Sequence, residues 1–370
     1  MAKKEWREGY TTGSTATAGM KAALLALRNE FPKEVTVLSP QHVEIRVPIE
    51  RAWVEDGKGR AIVLKDGGDD LDVTHKTPIH VDVELTDAPG LQFVAGEGVG
   101  TVTKPGLQVR VGEPAINPGP RLMMKNVYGD LVDAGKGCIV TISVPEGRKL
   151  ATKTLNPVLG VVGGISIIGT SGIVKPMSEE AYKTSLIPQL TVLAAQGVTD
   201  CMLVPGRIGH DAATKLFHIP KEKLVETSNF IGFMLEQAVD KGMKDIILIG
   251  HIGKLIKVAS GSFHTHNRMS DGRMETLAAY AAAAGADRDT VRAILACNTT
   301  DGAMEIIVAK GLTEIYQELA ERAQVRAMRY IHQEARVGAI FVTMEGTILA
   351  MSSAAEEIGR RDGWLPQSRS

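Results

Sequence analysis

Residues 245–254 read Asp245-Ile246-Ile247-Leu248-Ile249-Gly250-His251-Ile252-Gly253-Lys254, the most strongly strand-like stretch of the chain. Four consecutive apolar residues closed by glycine are typical of a parallel strand that is buried on both faces. The apolar residues that follow, Ile252, Leu255, Ile256 and Ala259, recur at helical spacing. A buried strand that turns through glycine into a helix is the unit from which parallel α/β sheets are built.

The same alternation of strand and helix extends to both sides of this stretch. Short apolar runs at 164–169 and 201–204 predict further buried strands. Helical patterns cover 231–238, 274–281, 289–297 and 313–332, and 338–342 with 347–350 predict a terminal hairpin. A helix is expected to begin after Ser178 and to be kinked or split by Pro188.

We therefore predict a Rossmann-like α/β domain over residues 149–370. In such sheets, ligands bind beyond the carboxyl ends of the strands. The turns after Ile168, Val204 and Ile249 are the positions at which this rule places a site.

Residues 1–148 predict a different architecture, an α+β sandwich-like domain. A helix with one apolar face follows residues 9–14, and Thr12 or Ser14 is expected to cap it. Strand-like segments at 35–38, 43–47, 61–64, 81–85 and 139–144 are separated by turn residues. They predict an antiparallel sheet backed by the first helix, with 139–144 as its last strand.

Composition excludes several classes of protein. The chain has 370 residues and a net charge of −1, so we expect two domains and no general affinity for nucleic acid or anionic lipid. No apolar segment is long enough to span a bilayer, and the charged string 1–7 is not a signal peptide. The expected location is the cytoplasm. The three cysteines form no CxxC pair, so neither a zinc ribbon nor a redox motif is supported.

Two glycine-containing turns are candidate binding sites. Gly169-Thr170-Ser171-Gly172 offers hydroxyls and close backbone approach for a ribose or a carboxylate, although a tight turn with polar filler explains it equally well. No G-x-G-x-x-G follows a strand, so the dinucleotide fingerprint is absent. Lys254 and Lys257 share a helix face after the strongest strand and form a candidate anion site; the alternative is two solvated lysines.

The densest polar cluster is Ser262–Arg268, which contains His264, His266 and Arg268. A metal site here would need further ligands such as His251, Asp271 or His210. The same histidines with Arg268 could instead bind carboxylates or exchange protons, or simply tie down a loop. Asn117-Pro118-Gly119-Pro120-Arg121 is a stiff turn that presents Arg121, a side chain suited to carboxylates.

Three of these strings together resemble the CbiD family. They are Gly9-Tyr10-Thr11-Thr12-Gly13-Ser14, the stretch from Thr154-Leu155-Asn156-Pro157 through 163–172, and Gly250–Lys257 followed by His264-Thr265-His266. The resemblance covers nearly the whole chain in order. It implies methylation of carbon 1 of cobalt-precorrin-5B to give cobalt-precorrin-6A in anaerobic cobalamin (vitamin B12) biosynthesis, with S-adenosylmethionine as methyl donor. The cobalt belongs to the tetrapyrrole substrate, and no metal held by the protein is expected.

This chemistry suggests roles for the candidate residues. Lys254, Lys257, Arg268 and Arg121 are candidates for binding the carboxylates of the acceptor. His251 or His264 is a candidate for handling a proton. Thr11, Thr12, Ser14 and His266 are further substrate-binding candidates, and Gly169, Thr170, Ser171 and Gly172 are candidates for holding the donor.

Two alternatives remain open. A metal-dependent hydrolase built on His264 and His266 would contain stoichiometric zinc or iron. A non-enzymatic tetrapyrrole carrier would bind the macrocycle without affinity for S-adenosylmethionine. A small-molecule substrate is expected in place of nucleic acid or membrane, and a homodimer is the base-rate expectation.

Overall fold

The computed structural model describes residues 6–365 and divides the chain into two compact units, Met1–Glu180 and Ala181–Ser370. Most of the charged string on which we excluded a signal peptide therefore lies outside the described residues. Among the helices of the described part, none combines the length and the apolar character that crossing a membrane requires.

The strands are β1 Gly9–Tyr10, β2 Glu34–Leu38, β3 Glu44–Pro48, β4 Arg51–Glu55, β5 Lys58–Leu64, β6 Pro78–Thr86, β7 Gly90–Ala95, β8 Thr101–Val102, β9 Gly137–Ser143, β10 Val161–Val162, β11 Ile173–Val174, β12 Asp200–Val204, β13 Leu224–Glu226, β14 Asp245–His251, β15 Arg336–Val342 and β16 Ile348–Met351. The helices are α1 Thr12–Leu27, α2 Pro118–Leu131, α3 Gly147–Ala151, α4 Asn156–Leu159, α5 Glu179–Ala195, α6 Arg207–Leu216, α7 Ile231–Asp240, α8 Ile252–Ser260, α9 Arg273–Ala283, α10 Arg288–Leu295, α11 Thr300–Ala309, α12 Ile315–Tyr330 and α13 Ser353–Arg361, with a 3₁₀ turn at Lys221–Lys223.

The first unit is a five-stranded sheet with helix α1 packed on it. The sheet order is β4-β5-β6-β9-β7, antiparallel except for the parallel pair β7 and β9. All the expected strands form, but β4 and β7 of this sheet were not predicted. The prediction that 35–38 and 43–47 belong to the same sheet is wrong, because β2 and β3 form a separate hairpin. Helix α1 lies close to the sheet because Gly19 faces it: a Cβ there would come within 2.6 Å of Val81 Cγ2.

The cap of α1 differs from the expectation. Thr11, not Thr12 or Ser14, is the N-cap residue, and its Oγ1 accepts a hydrogen bond from the Ser14 backbone N–H at 3.2 Å. Thr12 and Ser14 instead direct their hydroxyls toward a distant segment of the same unit, described below.

The run 164–169 is not a strand of the parallel sheet, so this part of the prediction is wrong. It belongs to the first unit, where Ile165 and Ile167 form isolated bridges with Val99 and Ile116. Those two side chains are buried, whereas Ile168 is half exposed. Because these residues join the first core, the units meet at 180/181 and not at the expected 148/149.

The second unit is built on a mixed sheet of order β13-β12-β14-β15-β16. The first four strands are parallel, and β16 pairs antiparallel to β15, which confirms the predicted hairpin. Alternate strand residues such as Met202, Ile247 and Ile340 form one core with α6 and α13. Helix α8 contacts β14 and β15, and helix α12 contacts β15. The intervening strand residues, which point the other way, are buried as well.

Most helices of this unit were predicted; α6, α11 and α13 were not. Helix α5 runs unbroken through Pro188, so the expected split does not occur.

Candidate functional site

A crevice opens at the carboxyl ends of β12, β13 and β14. From β12 the chain passes through α6 to β13 on one side, and from β14 it passes through α8 toward β15 on the other side. The strand order therefore reverses between β12 and β14, which is where ligands bind in sheets of this kind. The turns after Val204 and Ile249 meet here, as expected, whereas the turn after Ile168 lies in the first unit.

The crevice has a volume of about 430 Å³, which is within the range of small-molecule sites. Its lining includes Tyr182, Val204, Gly206, Arg207, Glu226 and Lys254. A second concavity, of about 410 Å³, lies on α12 among residues such as Gln317, Glu318 and Arg322. Its lining residues lie on helices α9 and α12, not in the turns that follow the parallel strands, so we regard the crevice as the candidate site.

Lys254 brings a positive charge to the crevice. Its Nζ donates a hydrogen bond to the Pro205 carbonyl oxygen, in the turn that follows β12. Burial, with a smaller contribution from the nearby charge of Lys257, lowers the pKa of Lys254. An ammonium group has three donor hydrogens, so two remain for a ligand.

His251 ends β14 and caps α8. Its Nδ1 accepts a hydrogen bond from the Gly253 backbone N–H at 3.1 Å. In the neutral ring the proton is therefore on Nε2, which is buried and has no hydrogen-bond partner among the described residues. The nearest carboxylate oxygen is Asp301 Oδ1, 3.5 Å from Nε2. A carboxylate that faces the Nε2–H of an imidazole stabilises the imidazolium that forms when the ring takes up a proton on its other nitrogen.

Lys257 has a different environment from Lys254. Its side chain is only 1% exposed, and Nζ donates to the Thr265 carbonyl oxygen at 3.0 Å and to Asn267 Oδ1 at 2.7 Å. Burial and the charge of Arg273 lower its pKa. The structure therefore uses Lys257 to hold the loop that follows α8, which contains the predicted polar cluster.

The loop places its three candidate side chains differently. His264 forms an antiparallel β-bridge with Phe230, and the centroids of their rings lie 5.2 Å apart. The ring of Phe230 also packs edge to face with Tyr182 of the crevice, at a centroid distance of 5.9 Å. His266 is exposed, and its Nδ1 accepts from the Arg268 backbone N–H at 3.2 Å. Arg268 is exposed too. Within residues 6–365, no three His, Cys, Asp or Glu side chains are grouped so as to hold a metal ion.

In the first unit, two motifs that are far apart in sequence form one junction. Thr12 Oγ1 accepts from the Ile168 backbone N–H at 2.9 Å, and Ser14 Oγ donates to the Gly172 carbonyl oxygen at 2.6 Å. Gly13 N–H also donates to the Ile168 carbonyl oxygen. The substrate candidates Thr11, Thr12 and Ser14 thus adjoin the donor candidates at 169–172.

Gly169 explains why this junction needs glycine. Its φ is +151°, and a Cβ there would come within 2.1 Å of Thr11 Oγ1. The neighbouring Arg121 is engaged within the unit: its Nε donates to the Ile116 carbonyl oxygen at 2.7 Å, and Nη2 lies 2.8 Å from Glu113 Oε2. Several of the hydroxyl and guanidinium groups singled out from the sequence therefore already have partners inside the unit.

The loop 65–77 was missed by sequence reasoning. Lys65 is 1% exposed and pairs with Asp72, while Asp66 pairs with Arg7. The Asp66 carbonyl oxygen accepts from the Tyr10 backbone N–H, directly before α1. The string Lys65-Asp66-Gly67-Gly68-Asp69-Asp70 combines acids and glycines, which indicates a turn but does not show that a buried lysine anchors it.

We expect the pair of Asp66 and Arg7 to make stability depend on pH. The hydrogen bond from Arg7 holds the pKa of Asp66 at about 2. Because this pKa is depressed in the folded state, the stabilisation is present above the unfolded pKa and is lost as the pH falls through the folded value. Asp66→Asn should cost about 1 kcal/mol at pH 7, allowing for solvent screening of the exposed Arg7.

The measurement is chemical denaturation of both proteins between pH 7 and pH 2. The difference in free energy of unfolding between the wild-type protein and Asp66→Asn should shrink below about pH 4. A difference that is constant over this range would show that the Asp66 charge does not contribute to stability.

Comparison with known proteins connects these features to a family. The family model CbiD matches residues 1–176, and the model CbiD, C-terminal domain, matches residues 264–353. The cobalt-precorrin-5B C(1)-methyltransferase of Moorella thermoacetica is 45% identical over 355 residues, which are 95% of this chain and 96% of the relative. The protein of the same name from Desulfitobacterium hafniense is 43% identical over 97% of this chain and 93% of its own length.

Among solved structures, the crystal structure of the cobalamin biosynthesis protein (cbiD) from Archaeoglobus fulgidus is similar at 27% sequence identity. The match covers 72% of this chain and 84% of that chain, with a TM-score of 0.38.

Proposed function

The chain belongs to the CbiD family, and from this we propose that it methylates carbon 1 of cobalt-precorrin-5B, with S-adenosylmethionine as donor, to give cobalt-precorrin-6A. The observation that carries the proposal is the similarity to curated methyltransferases along nearly the full length of both chains. The reaction belongs to anaerobic cobalamin biosynthesis, and the cobalt enters as part of the substrate.

We further propose that the second unit is a Rossmann-like domain. Four adjacent parallel strands, the reversal of strand order between β12 and β14, and a crevice at the carboxyl ends of those strands support this. The location in the cytoplasm and the homodimer stay predictions; light scattering of the purified protein tests the latter.

S-adenosylmethionine supplies a methyl group on a sulfonium: the bond from sulfur to methyl breaks with its electron pair staying on sulfur, and a bond to carbon 1 forms. The electron pair of the new bond comes from the macrocycle, so the methylated ring gains one positive charge. Loss of a proton restores the balance. His251 can accept it on Nδ1, the ring nitrogen that carries no proton, when the bond from Gly253 N–H is released, and the Asp301 carboxylate, 3.5 Å from Nε2, would stabilise the imidazolium that forms.

The protein must also bind an acceptor that carries several carboxylates. Arg268 is exposed, and it suits bidentate recognition of a carboxylate. The ammonium of Lys257 serves the loop, and Lys254 lies in the crevice, where its remaining donor hydrogens can meet the carboxylate of a ligand bound there. The junction of Thr11, Thr12 and Ser14 with 169–172 is the corresponding candidate surface of the first unit.

Arg268→Ala is expected to raise KM for the tetrapyrrole about tenfold with little change in the free energy of unfolding, because the side chain is exposed. Arg322→Ala is the matched control, since Arg322 is also an exposed arginine and lies on α12. Equal KM values for both variants would remove Arg268 from the substrate site.

The proposed function is tested by turnover. Purified protein is incubated with cobalt-precorrin-5B and methyl-labelled S-adenosylmethionine, and the label should appear at carbon 1 of the product. Binding of the tetrapyrrole without transfer of label would instead support a carrier. Comparison with the cobalt-free ring shows whether the acceptor must contain the metal.

A further inference from the structure

We propose that the crevice between β12 and β14 binds S-adenosylmethionine and that Glu226 receives the hydroxyls of its ribose. The inference rests on the proposed function and deepens it by naming the donor site. It differs from the sequence-based expectation, which placed the donor at Gly169–Gly172.

The position of Glu226 is the first support. Glu226 is the last residue of β13 and is in register with Val204, the last residue of β12. Gly206 follows β12 and caps α6, and Glu226 comes about 20 residues later. In nucleotide-binding sheets, an acidic residue about 20 residues beyond the glycine turn, at the end of the next strand, binds the ribose hydroxyls.

The environment of Glu226 leaves its carboxylate available. Its backbone is held on both sides by the buried Gln189, whose Oε1 accepts from Glu226 N–H at 2.9 Å and whose Nε2 donates to the Glu226 carbonyl oxygen at 3.3 Å. The side chain is exposed, and in the described part of the chain no cation or donor pairs with its carboxylate. A fixed backbone with an open carboxylate suits a ligand that brings two hydroxyl donors.

The rest of the crevice complements the other parts of the donor. Tyr182 is half exposed and offers a ring face beside which an adenine can pack. Gly206 has φ +147°, so its backbone can approach the ligand closely. Lys254 Nζ lies 3.4 Å from the position of a Cβ on Gly206 and offers a positive charge to the carboxylate of the methionine part.

The turn at Gly169–Gly172 offers less to a ribose. The Gly172 carbonyl oxygen accepts from both Thr11 N–H and Ser14 Oγ, and Ser171 Oγ donates to the Ile173 carbonyl oxygen. These polar groups already have partners, and none of the residues 169–172 is acidic, so the turn offers no carboxylate to a pair of ribose hydroxyls.

The first test is the kinetics of Glu226→Gln. KM for S-adenosylmethionine should rise about 10- to 100-fold, the loss expected for hydrogen bonds to a charged acceptor, with a smaller change in kcat. Glu222→Gln is the matched control, because Glu222 is an exposed glutamate in the 3₁₀ turn just before β13. Its KM should stay within twofold of the wild-type value.

The second test identifies the ribose itself. S-adenosylhomocysteine and its 2′-deoxy analogue are compared as inhibitors competitive with the donor. Wild-type protein should bind the deoxy analogue at least about fivefold more weakly, whereas Glu226→Gln should bind the two equally. A preference for the hydroxyl that is unchanged in Glu226→Gln overturns the inference.

The outcomes separate the inference from the function on which it rests. Wild-type protein that transfers no methyl group overturns the proposed function and the inference with it. Wild-type turnover with an unchanged KM in Glu226→Gln overturns the inference alone. If Thr170→Ala raised KM for S-adenosylmethionine and Glu226→Gln did not, the donor site would be the turn at Gly169–Gly172.

Discussion

Asp72→Ala is expected to lower the free energy of unfolding by about 3–5 kcal/mol. The partner of Asp72 is Lys65, whose side chain is 1% exposed. Without the carboxylate, the ammonium of Lys65 would remain buried and unpaired, which costs far more than the loss of an exposed pair. Asp72 Oδ1 also accepts from the backbone N–H and the hydroxyl of Thr74, so the loop would lose its internal bonds as well.

The measurement is equilibrium denaturation in urea at pH 7. Asp87→Ala is the matched control, because Asp87 pairs with Lys136 at 2.7 Å but is 98% exposed; we expect it to change the free energy of unfolding far less than Asp72→Ala does. If Asp72→Ala lost no more stability than this control, Lys65 would have found water or another acceptor, and the pair would not anchor the loop.

Sequence reasoning succeeded where burial follows the chain locally. The run 246–249 is apolar without interruption because both faces of β14 are covered, so the strand could be recognised without knowledge of its neighbours. The helices with continuous apolar faces were found for the same reason. Helix α6 was missed, because 207–216 mixes charged residues with only a few apolar ones.

Sequence reasoning failed where only the tertiary partners of a segment decide which sheet or core it joins. The run 164–169 has the composition of a buried strand, yet its partners are isolated residues of the first unit. A short run of three isoleucines interrupted by Ser166 is compatible with either environment, and the contacts that decide between them come from residues about 50 to 65 positions earlier in the chain.

The residues of the candidate site also fall into two groups, those that could be predicted from the sequence and one that was missed. His251 and Lys254 could be predicted because they directly follow a strand that was recognised, and the rule for strand ends then applied. Glu226 was missed because β13 has only three residues, too few for a periodic signal. The one available signal was an acidic residue about 20 positions beyond the turn Pro205-Gly206, and it is specific only once the neighbouring strand is known.

His251→Asn is expected to lower kcat about 10²- to 10⁴-fold, the contribution typical of a residue that transfers a proton. Asparagine is a good N-cap residue and can keep the bond from Gly253 N–H at the start of α8, so folding should be preserved. What disappears is the imidazole, which can accept a proton on Nδ1 and whose Nε2 faces Asp301 Oδ1 at 3.5 Å. His218→Asn, at an exposed position of the same unit, should leave kcat unchanged.

Asp301 acts as a positioning residue in this scheme, so its loss should matter only while His251 is present. Asp301→Asn should lower kcat less than His251→Asn does, and the double variant should be no slower than His251→Asn alone, because contacting residues that act as a unit are not additive. Additive losses would mean that Asp301 acts independently of the imidazole. A kcat in His251→Asn that equals the wild-type value would transfer the role to His264, the other histidine candidate, whose ring lies on the Phe230 side of the crevice.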